Sequence, residues 1–385
     1  MDTKTNATYT NFYNEEFVQA FNEAKTRVDA LKRCTKCLLP ETFPFIEFDQ
    51  NGVCNYCHNH KTRIPFGIDA LKKLLEHHRD PSGSIKCLVS FSGGRDSSYG
   101  LHIAKKVLDL DVIAFTYDWG VASDVAQRNQ KRMCEKLGVE QILVKANLTR
   151  KRENIRANLK AWLKNPDLGT IPILTSVGQH FFYHANRIGK QLGRNLIVIC
   201  ANPLELTYFK AGFSGVKPYF YKSSSKTHDK FELAKYYLQQ FLINPSYLNR
   251  SILDTIGGYL SFFVVPHNYL RLFEYIRWDE KELNSTLINT YGWEISEETP
   301  STWRIDDGTV PLTDYMYYMM SGLTINDTFR SNQIREGRIT REEALEVVNR
   351  ENQPRFIAIQ WYCNRIGVDF EATIRTINNA PRLYM

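Results

Sequence analysis

The chain has 385 residues, 43% apolar and 24% charged, with a net charge of +7 at neutral pH. That length allows two or three domains, and 13% aromatic residues exclude a mainly disordered chain. No apolar run reaches the roughly 18 residues of a membrane span, Tyr259 to Pro266 being too short, and eight cysteines are too few for a disulfide scaffold.

In chain order, Phe17, Val18, Phe21, Ala24 and Val28 recur at helical spacing. They predict a short amphipathic helix in an N-terminal extension, residues 1–32, to which the sequence assigns no function. The start MDTKTNATYT lacks the basic and apolar stretches of a signal peptide, so a cytoplasmic location is expected.

Residues 33–62 read as a zinc ribbon. Cys34-x-x-Cys37 and Cys54-x-x-Cys57 are separated by sixteen residues, and two such knuckles complete a tetrahedron of thiolates about 2.3 Å from a zinc ion. Gly52 supplies backbone freedom ahead of the second knuckle. Four thiolates make a closed, structural site. An iron–sulfur cluster uses the same ligands, and two chance pairs of free thiols are the plain alternative. His58 and His60 read as surface residues.

Residues 63–220 carry an α/β pattern. A helix near Ala70 to His78 and the loop Asp80-Pro81-Ser82-Gly83 come first. Strands are expected at Ile85–Ser90, Val112–Tyr117, Gln141–Val144 and Leu196–Cys200, with helices at Asp96–Leu108, Asp124–Leu137 and His180–Leu192 between them. Apolar strands alternating with helices predict a doubly wound parallel sheet. Beyond residue 220 strand-like runs become scarce, and Lys230–Leu242, Thr313–Met320 and Arg341–Arg350 predict a helical C-terminal region, 221–385.

The most informative stretch is Ser90-Phe91-Ser92-Gly93-Gly94-Arg95-Asp96-Ser97-Ser98, running from a strand through two glycines into a helix. There, backbone N–H groups and the positive helix end face an anion. The hydroxyls of Ser92, Ser97 and Ser98 and the cation of Arg95 add donors. The stretch is neither a Walker A loop nor a GxGxxG turn; a merely Gly- and Ser-rich helix start is the bland reading. Tyr117 and Asp118 end the second strand, at the sheet edge where such folds bind ligands. Asp118 reads either as a ribose or Mg²⁺ ligand or as a loop-capping aspartate.

SGGRDSS resembles the pyrophosphate loop, SGGxDS, of the PP-loop ATP pyrophosphatases. The resemblance implies that Ser92, Gly93, Gly94, Asp96, Ser97 and Ser98 grip the β- and γ-phosphates of ATP while AMP passes to a substrate carbonyl oxygen. Two N-terminal stretches, Arg33 to Pro40 and Asn51 to Cys57, and two late ones, Thr302 to Gly308 and Phe329 to Gly337, resemble the N-acetyl sugar amidotransferases of O-antigen and nonulosonic-acid synthesis. That family converts an acetamido group to an acetamidino group with ATP, Mg²⁺ and ammonia. The implied substrate is an N-acetyl sugar, nucleotide-linked or nonulosonate.

Within this reading Asp96, Ser97 and Glu205 are the catalytic candidates, Glu205 because Asn202-Pro203-Leu204-Glu205 follows the fourth strand. Lys210, Lys217, Arg304, Arg330 and Arg335 are candidate cations. Asp306 and Asp307 are candidate ligands or a plain turn pair, and residues 211–216 a flexible loop that closes over the sugar. Cys87, Cys134, Cys200 and Cys363 lack a glutaminase nucleophile turn, and the chain starts Met1-Asp2. Ammonia is therefore expected from separate glutaminase and channelling subunits, with neither membrane nor nucleic acid as partner. The rival is a sulfurtransferase acting on a nucleobase or tRNA. It needs a persulfide-carrying cysteine, for which Cys200 is the candidate; a small buried hydrophobe is the alternative role. The basic run Arg150-Lys151-Arg152 and Arg156 reads as a solvated helix face.

Overall fold

A computed structural model describes residues 14–221 and 226–384. The first thirteen residues of the expected extension, residues 222–225 and residue 385 lie outside the described residues. Five parallel strands form one sheet: β1 (Lys86–Ser90), β2 (Asp111–Asp118), β3 (Glu140–Lys145), β4 (Leu196–Ile199) and β5 (Leu270–Arg271). Their order is β3-β2-β1-β4-β5. The chain runs outward from β1 to β3, then returns to place β4 on the other side of β1. The carboxyl ends of β1 and β4 therefore flank a switch point, the place where open α/β sheets leave a crevice.

Both faces of the sheet are covered, which is why its strands read as unbroken apolar runs. Cys87, Val89, Val112, Ala114, Leu196 and Val198 point into the main core. Their alternates Leu88, Phe115, Tyr117 and Ile197 pack on the opposite face beneath the helix Phe181–Gln191 through Ala185, Phe181 and Ile188. The sheet is thus the doubly wound parallel type expected.

The helix after β1 spans Arg95–His102 and widens into a π-turn at Ile103–Val107; the helix after β2 runs Asp124–Leu137. Helical segments not legible from spacing include Leu148–Lys164, the tight turns of Leu168–His180, Ile252–Phe263, which absorbs most of the apolar run at Tyr259, and Ile325–Arg335, Phe356–Ile366 and Phe370–Asn378 near the C-terminus. In Leu148–Lys164 the basic run is solvated only in part: Arg150 is exposed, as expected, and the other three cations are not. Lys151 is buried and pairs with Asp254, and Arg152 and Arg156 donate to the carbonyls of Gly120 and Ile366. Those cations are spent inside the molecule.

The C-terminal helices Val310–Ser321, Ile325–Arg335, Arg341–Glu351, Phe356–Ile366 and Phe370–Asn378 pack on the sheet's main-core face. Thr324 with Asp327 and Thr340 with Glu343 close capping boxes at two of them. The N-terminal helix, Glu15–Asp29, joins this bundle: Phe17 meets Phe370 edge-on at 5.9 Å and Phe21 stacks on Tyr318 at 5.1 Å. No helix among the described residues is long and apolar enough to cross a membrane.

Candidate functional site

Two constellations that the sequence separates by some forty residues take very different forms. In the first, the Sγ atoms of Cys34, Cys37, Cys54 and Cys57 lie within 4.8 Å of one another, all buried. Cys34 to Cys57 is 3.9 Å and Cys37 to Cys54 is 3.8 Å, the edge of about 3.8 Å that a tetrahedron with bonds of about 2.3 Å requires. The N–H groups of Lys36, Cys37 and Cys54 point at Cys34 Sγ at 3.2–3.4 Å. Arg335, from the C-terminal bundle, donates Nε to Cys57 Sγ and Nη2 to Cys37 Sγ, both at 3.4 Å. Gly52 holds φ +76°, and a Cβ there would stand 2.8 Å from Thr35. His58 is exposed and pairs with Asp49, and His60 pairs with Glu336, so neither joins the thiols.

The second constellation sits at the switch point. Gly93 takes φ +82°, and an added Cβ would stand 2.3 Å from the Ala126 carbonyl oxygen, so only glycine fits this turn. Trp293 Nε1 holds the Gly93 carbonyl at 3.2 Å, and Ser97 Oγ lies 3.0 Å from Ser92 Oγ. Gly94 caps the helix Arg95–His102 without a side chain, which leaves the first N–H groups of the helix facing outward. A cavity of about 250 Å³ opens there, lined by Ser90, Ser92, Gly94, Arg95, Asp96, Ser97, Cys200, Glu205, Trp303, Arg304, Asp306 and Asp307. It meets a second cavity of about 330 Å³ at Ser92, Asp306 and Asp307; Tyr117, Asp118, Lys131 and Lys145 line that one, at the carboxyl ends of β2 and β3.

The structure therefore brings together the loop and strand-end residues singled out for this chemistry, with the side chains of Ser98 and Arg95 turned away. Ser98 Oγ accepts from Trp293 Nε1 beneath the loop. The Arg95 guanidinium is buried, donating to Glu280 at 2.8 Å and Asp96 at 3.2 Å and stacking over Trp278. Arg95 thus braces the loop from below. Asp118 Oδ1 accepts from the Gly120 N–H at 2.8 Å, so its loop-ordering role is realised at the wall of the cavity.

The carboxyls of Asp96 and Glu205 line the same cavity. Burial, reinforced by Asp96 and opposed by Arg304, pushes Glu205 well above the usual carboxylate range. Its Oε1 also accepts from Trp303 Nε1, while Trp278 Nε1 donates to Asp96 at 2.8 Å. These two part-buried carboxyls, with indole donors fixing both, form an oxygen donor set suited to a hard divalent cation.

The turn Arg304 to Gly308 closes the mouth. It is tied to the loop after β2 by the Ser123 N–H to the Asp306 carbonyl at 3.1 Å and by the Gly308 N–H to the Val121 carbonyl at 3.0 Å. The Asp306 carboxyl lies over Gly94, where a Cβ would be 2.6 Å from its Cγ. Burial raises the pKa of Asp306. Asp307 Oδ1 is held by Thr309. Arg304 holds φ +53°, a left-handed conformation costing a non-glycine residue roughly 1–2 kcal/mol.

Of the five candidate cations, Arg304 lines the cavity and Lys210 adjoins it; Arg330 is consumed by Glu280 and Glu351, Arg335 by the thiols, and Lys217 is exposed beside Tyr221. The stretch 211–216 is packed, not free. Gly212 abuts Pro44, and buried Ser214 donates to the Gly169 carbonyl. Cys200 touches the cavity, but its Sγ occupies the space a side chain on Gly100 would need, and burial pushes its thiol up. Burial likewise pushes Cys87 and Cys363 up to about 12 and Cys134 to about 11. None of these carries the depressed pKa of an activated thiol.

Sequence reasoning missed the polar network below the cavity at the ends of β2 and β3. Gln141 Nε2 donates to Thr116 Oγ1 at 2.8 Å, and Gln130 Nε2 donates to the Ser92 carbonyl at 2.7 Å. It also missed Trp278, Trp303, Asp314 and Arg355, which come from chain segments remote from the loop.

No family model matches the sequence, and no curated protein matches it. Solved structures similar to this chain include an NH3-dependent NAD synthetase from Campylobacter jejuni subsp. jejuni NCTC 11168 in complex with nitrate, with TM-score 0.26 and 15% identity over 52% of this chain and 96% of that one. An NMN synthetase from Francisella tularensis has TM-score 0.32 and 15% identity over 77% of this chain and 91% of that one. Likeness at this level assigns no function.

Proposed function

We propose that this chain is an ATP-dependent, AMP- and pyrophosphate-forming amidotransferase that aminates the acetamido group of an N-acetyl sugar with ammonia. One observation carries the reading. An uncapped helix start and the SGGRDSS loop face a carboxyl pair, Asp96 and Glu205, inside a cavity continuous with a second at the ends of β2 and β3. The first cavity suits a polyphosphate, the second the adenosine.

An amide is a poor electrophile because its oxygen leaves poorly. Attack of the amide oxygen on the α-phosphorus releases pyrophosphate and leaves an O-adenylated imidate. Ammonia then adds to that carbon, and AMP departs as the amidine forms. The N–H groups of the loop and the Ser92 and Ser97 hydroxyls hold the pyrophosphate where charge develops. Arg304 lines the same cavity and supplies a cation there. Asp96 and Glu205 would hold Mg²⁺, which when bound neutralises triphosphate charge. In that role Glu205 would act as a carboxylate. Cys34, Cys37, Cys54 and Cys57 would hold zinc in a structural role. With the four remaining cysteines unactivated, ammonia from a separate glutaminase fits the chain better than an internal one, and sulfur transfer through Cys200 has no reactive thiol to use.

Incubation with ATP, ammonium and acetamido sugars, followed by mass spectrometry, tests this directly. AMP, pyrophosphate and a product one mass unit lighter than the sugar are expected, oxygen having been replaced by an NH group. No AMP with any such sugar overturns it.

A further inference from the structure

Among the described residues, nearly half of the large apolar side chains that stay exposed fall within residues 231–264, less than a tenth of the chain. On the helix Lys226–Ile243, Phe231, Leu238 and Leu242 are 62–72% exposed. On the helix Ile252–Phe263 and the residue after it, Leu253, Ile256, Leu260 and Val264 are 47–75% exposed. Spacings of three, four and seven put each set in one stripe along its helix. The helices run antiparallel: Lys230 sits over the Phe263 ring at 5.4 Å, and Tyr237 meets Tyr259 at 5.7 Å. At about 3.6 residues per turn, these contacts lie about a quarter turn from the stripe, in the same rotational sense on both helices. In an antiparallel pair that places both stripes on one side. The other side is anchored, Tyr236 donating to Asp167 while Thr255 and Ser261 are buried.

The extent of this face and its lack of charge decide what fits it. With a large side chain worth roughly 150–250 Å² when fully buried, the two stripes expose on the order of 800 Å² of apolar surface. The largest patch on a typical monomer is roughly 300–600 Å², and each partner in a standard interface contributes about 800 Å². Neither stripe holds a charged residue. Lys235 stands at the outer edge of the first, Lys230 is spent on the Phe263 carbonyl, and Arg250 pairs with Glu153. Asp254 turns inward to Lys151 and His180. The face thus lacks the fringe of cations that seats a helix on anionic lipid, and it offers an oppositely charged protein nothing to pair with.

We propose that this face is the interface of a two-fold dimer, covered by a second copy of the chain. An apolar face without charge is complementary to itself. A two-fold axis through the seam between the helices lays four stripes together and leaves Lys235 at the rim. None of the seven side chains lines either cavity of the candidate site, so the dimer is independent of the reaction proposed above.

Sedimentation equilibrium of the full chain at micromolar concentration tests it, and a mass twice the chain's 44.8 kDa is expected. Leu238→Asp and Leu260→Asp should each weaken the dimer at least about a hundredfold, since symmetry buries each carboxylate twice. Both should keep the parent's circular dichroism, because these positions face water in one copy. Hydrogen exchange in the parent needs no variant: peptides within 231–264 should slow about tenfold between dilute and concentrated protein, with Ser92 to Ser98 unchanged. A parent that stays monomeric overturns the dimer, and its flotation with vesicles of phosphatidylcholine and phosphatidylglycerol would give the face to lipid instead. A dimer that survives both substitutions, or concentration-dependent protection confined to other segments, overturns it as well.

Discussion

The cysteine knuckles and the phosphate loop are both compact turns rich in small residues, yet they solve opposite problems. Around the knuckles every strong group has a partner: thiols meet N–H groups, Arg335 covers two of them, and Leu38 N–H is held by Ser331 Oγ at 3.1 Å. Around the loop, donors point into open space, burial raises the pKa of the Glu205 carboxyl, and Arg304 occupies a left-handed conformation. The first region is a closed set of four buried thiols that could hold a metal. The second is open to a cavity, and its strain is held by the structure around it.

The sharpest way to break this contrast is to unfinish the first region. Cys54→Ser should abolish stoichiometric zinc and cost several kcal/mol of stability, since binding energy at a closed thiolate site is folding energy. Elemental analysis with urea unfolding checks it. Iron with sulfide in the parent, or a variant as stable as the parent, would remove the structural-zinc reading. At the loop, Asp96→Asn should lower AMP formation about 10²- to 10³-fold, the effect of deleting a group aimed at developing charge. Its thermal midpoint should stay near the parent's, because the substitution preserves the acceptor for Trp278. A variant that loses stability and activity together would make Asp96 a scaffold residue instead.

What the sequence reveals follows the same division. Both turns are local, so CxxC spacing and SGGRDSS were legible, as were the four longer strands, whose apolar runs leave little ambiguity. β5 was not, because Leu270–Arg271 is two residues long and held by pairing with Val198 and Ile199. The helix Leu148–Lys164 hid because it buries Lys151, Asn154 and Asn158, whose partners lie about a hundred residues away. For the same reason the site's polar walls were invisible. Glu205 could be placed by its position after β4, but its partners Trp303 and Arg304 are set by a turn whose anchors, Val121 and Ser123, lie far upstream.

The smallest effect expected separates the two regions by pH. Glu205 has a folded-state pKa raised from 4.5 to about 8, chiefly by burial. Between those values the folded protein holds a proton that the unfolded chain has released, so stability falls as pH rises through this window and levels off above it. Glu205→Gln cannot lose that proton, and its amide still accepts from Trp303. The variant should therefore melt a few degrees above the parent at pH 8 and close to it at pH 4, while turning over far more slowly. Melting curves across that range provide the check, and parallel curves for parent and variant would mean that Glu205 is ionised in the folded protein. Saturating Mg²⁺ should raise the parent's midpoint at pH 8 and leave the variant's nearly unmoved, because a cation that binds the folded pair adds to its stability by mass action.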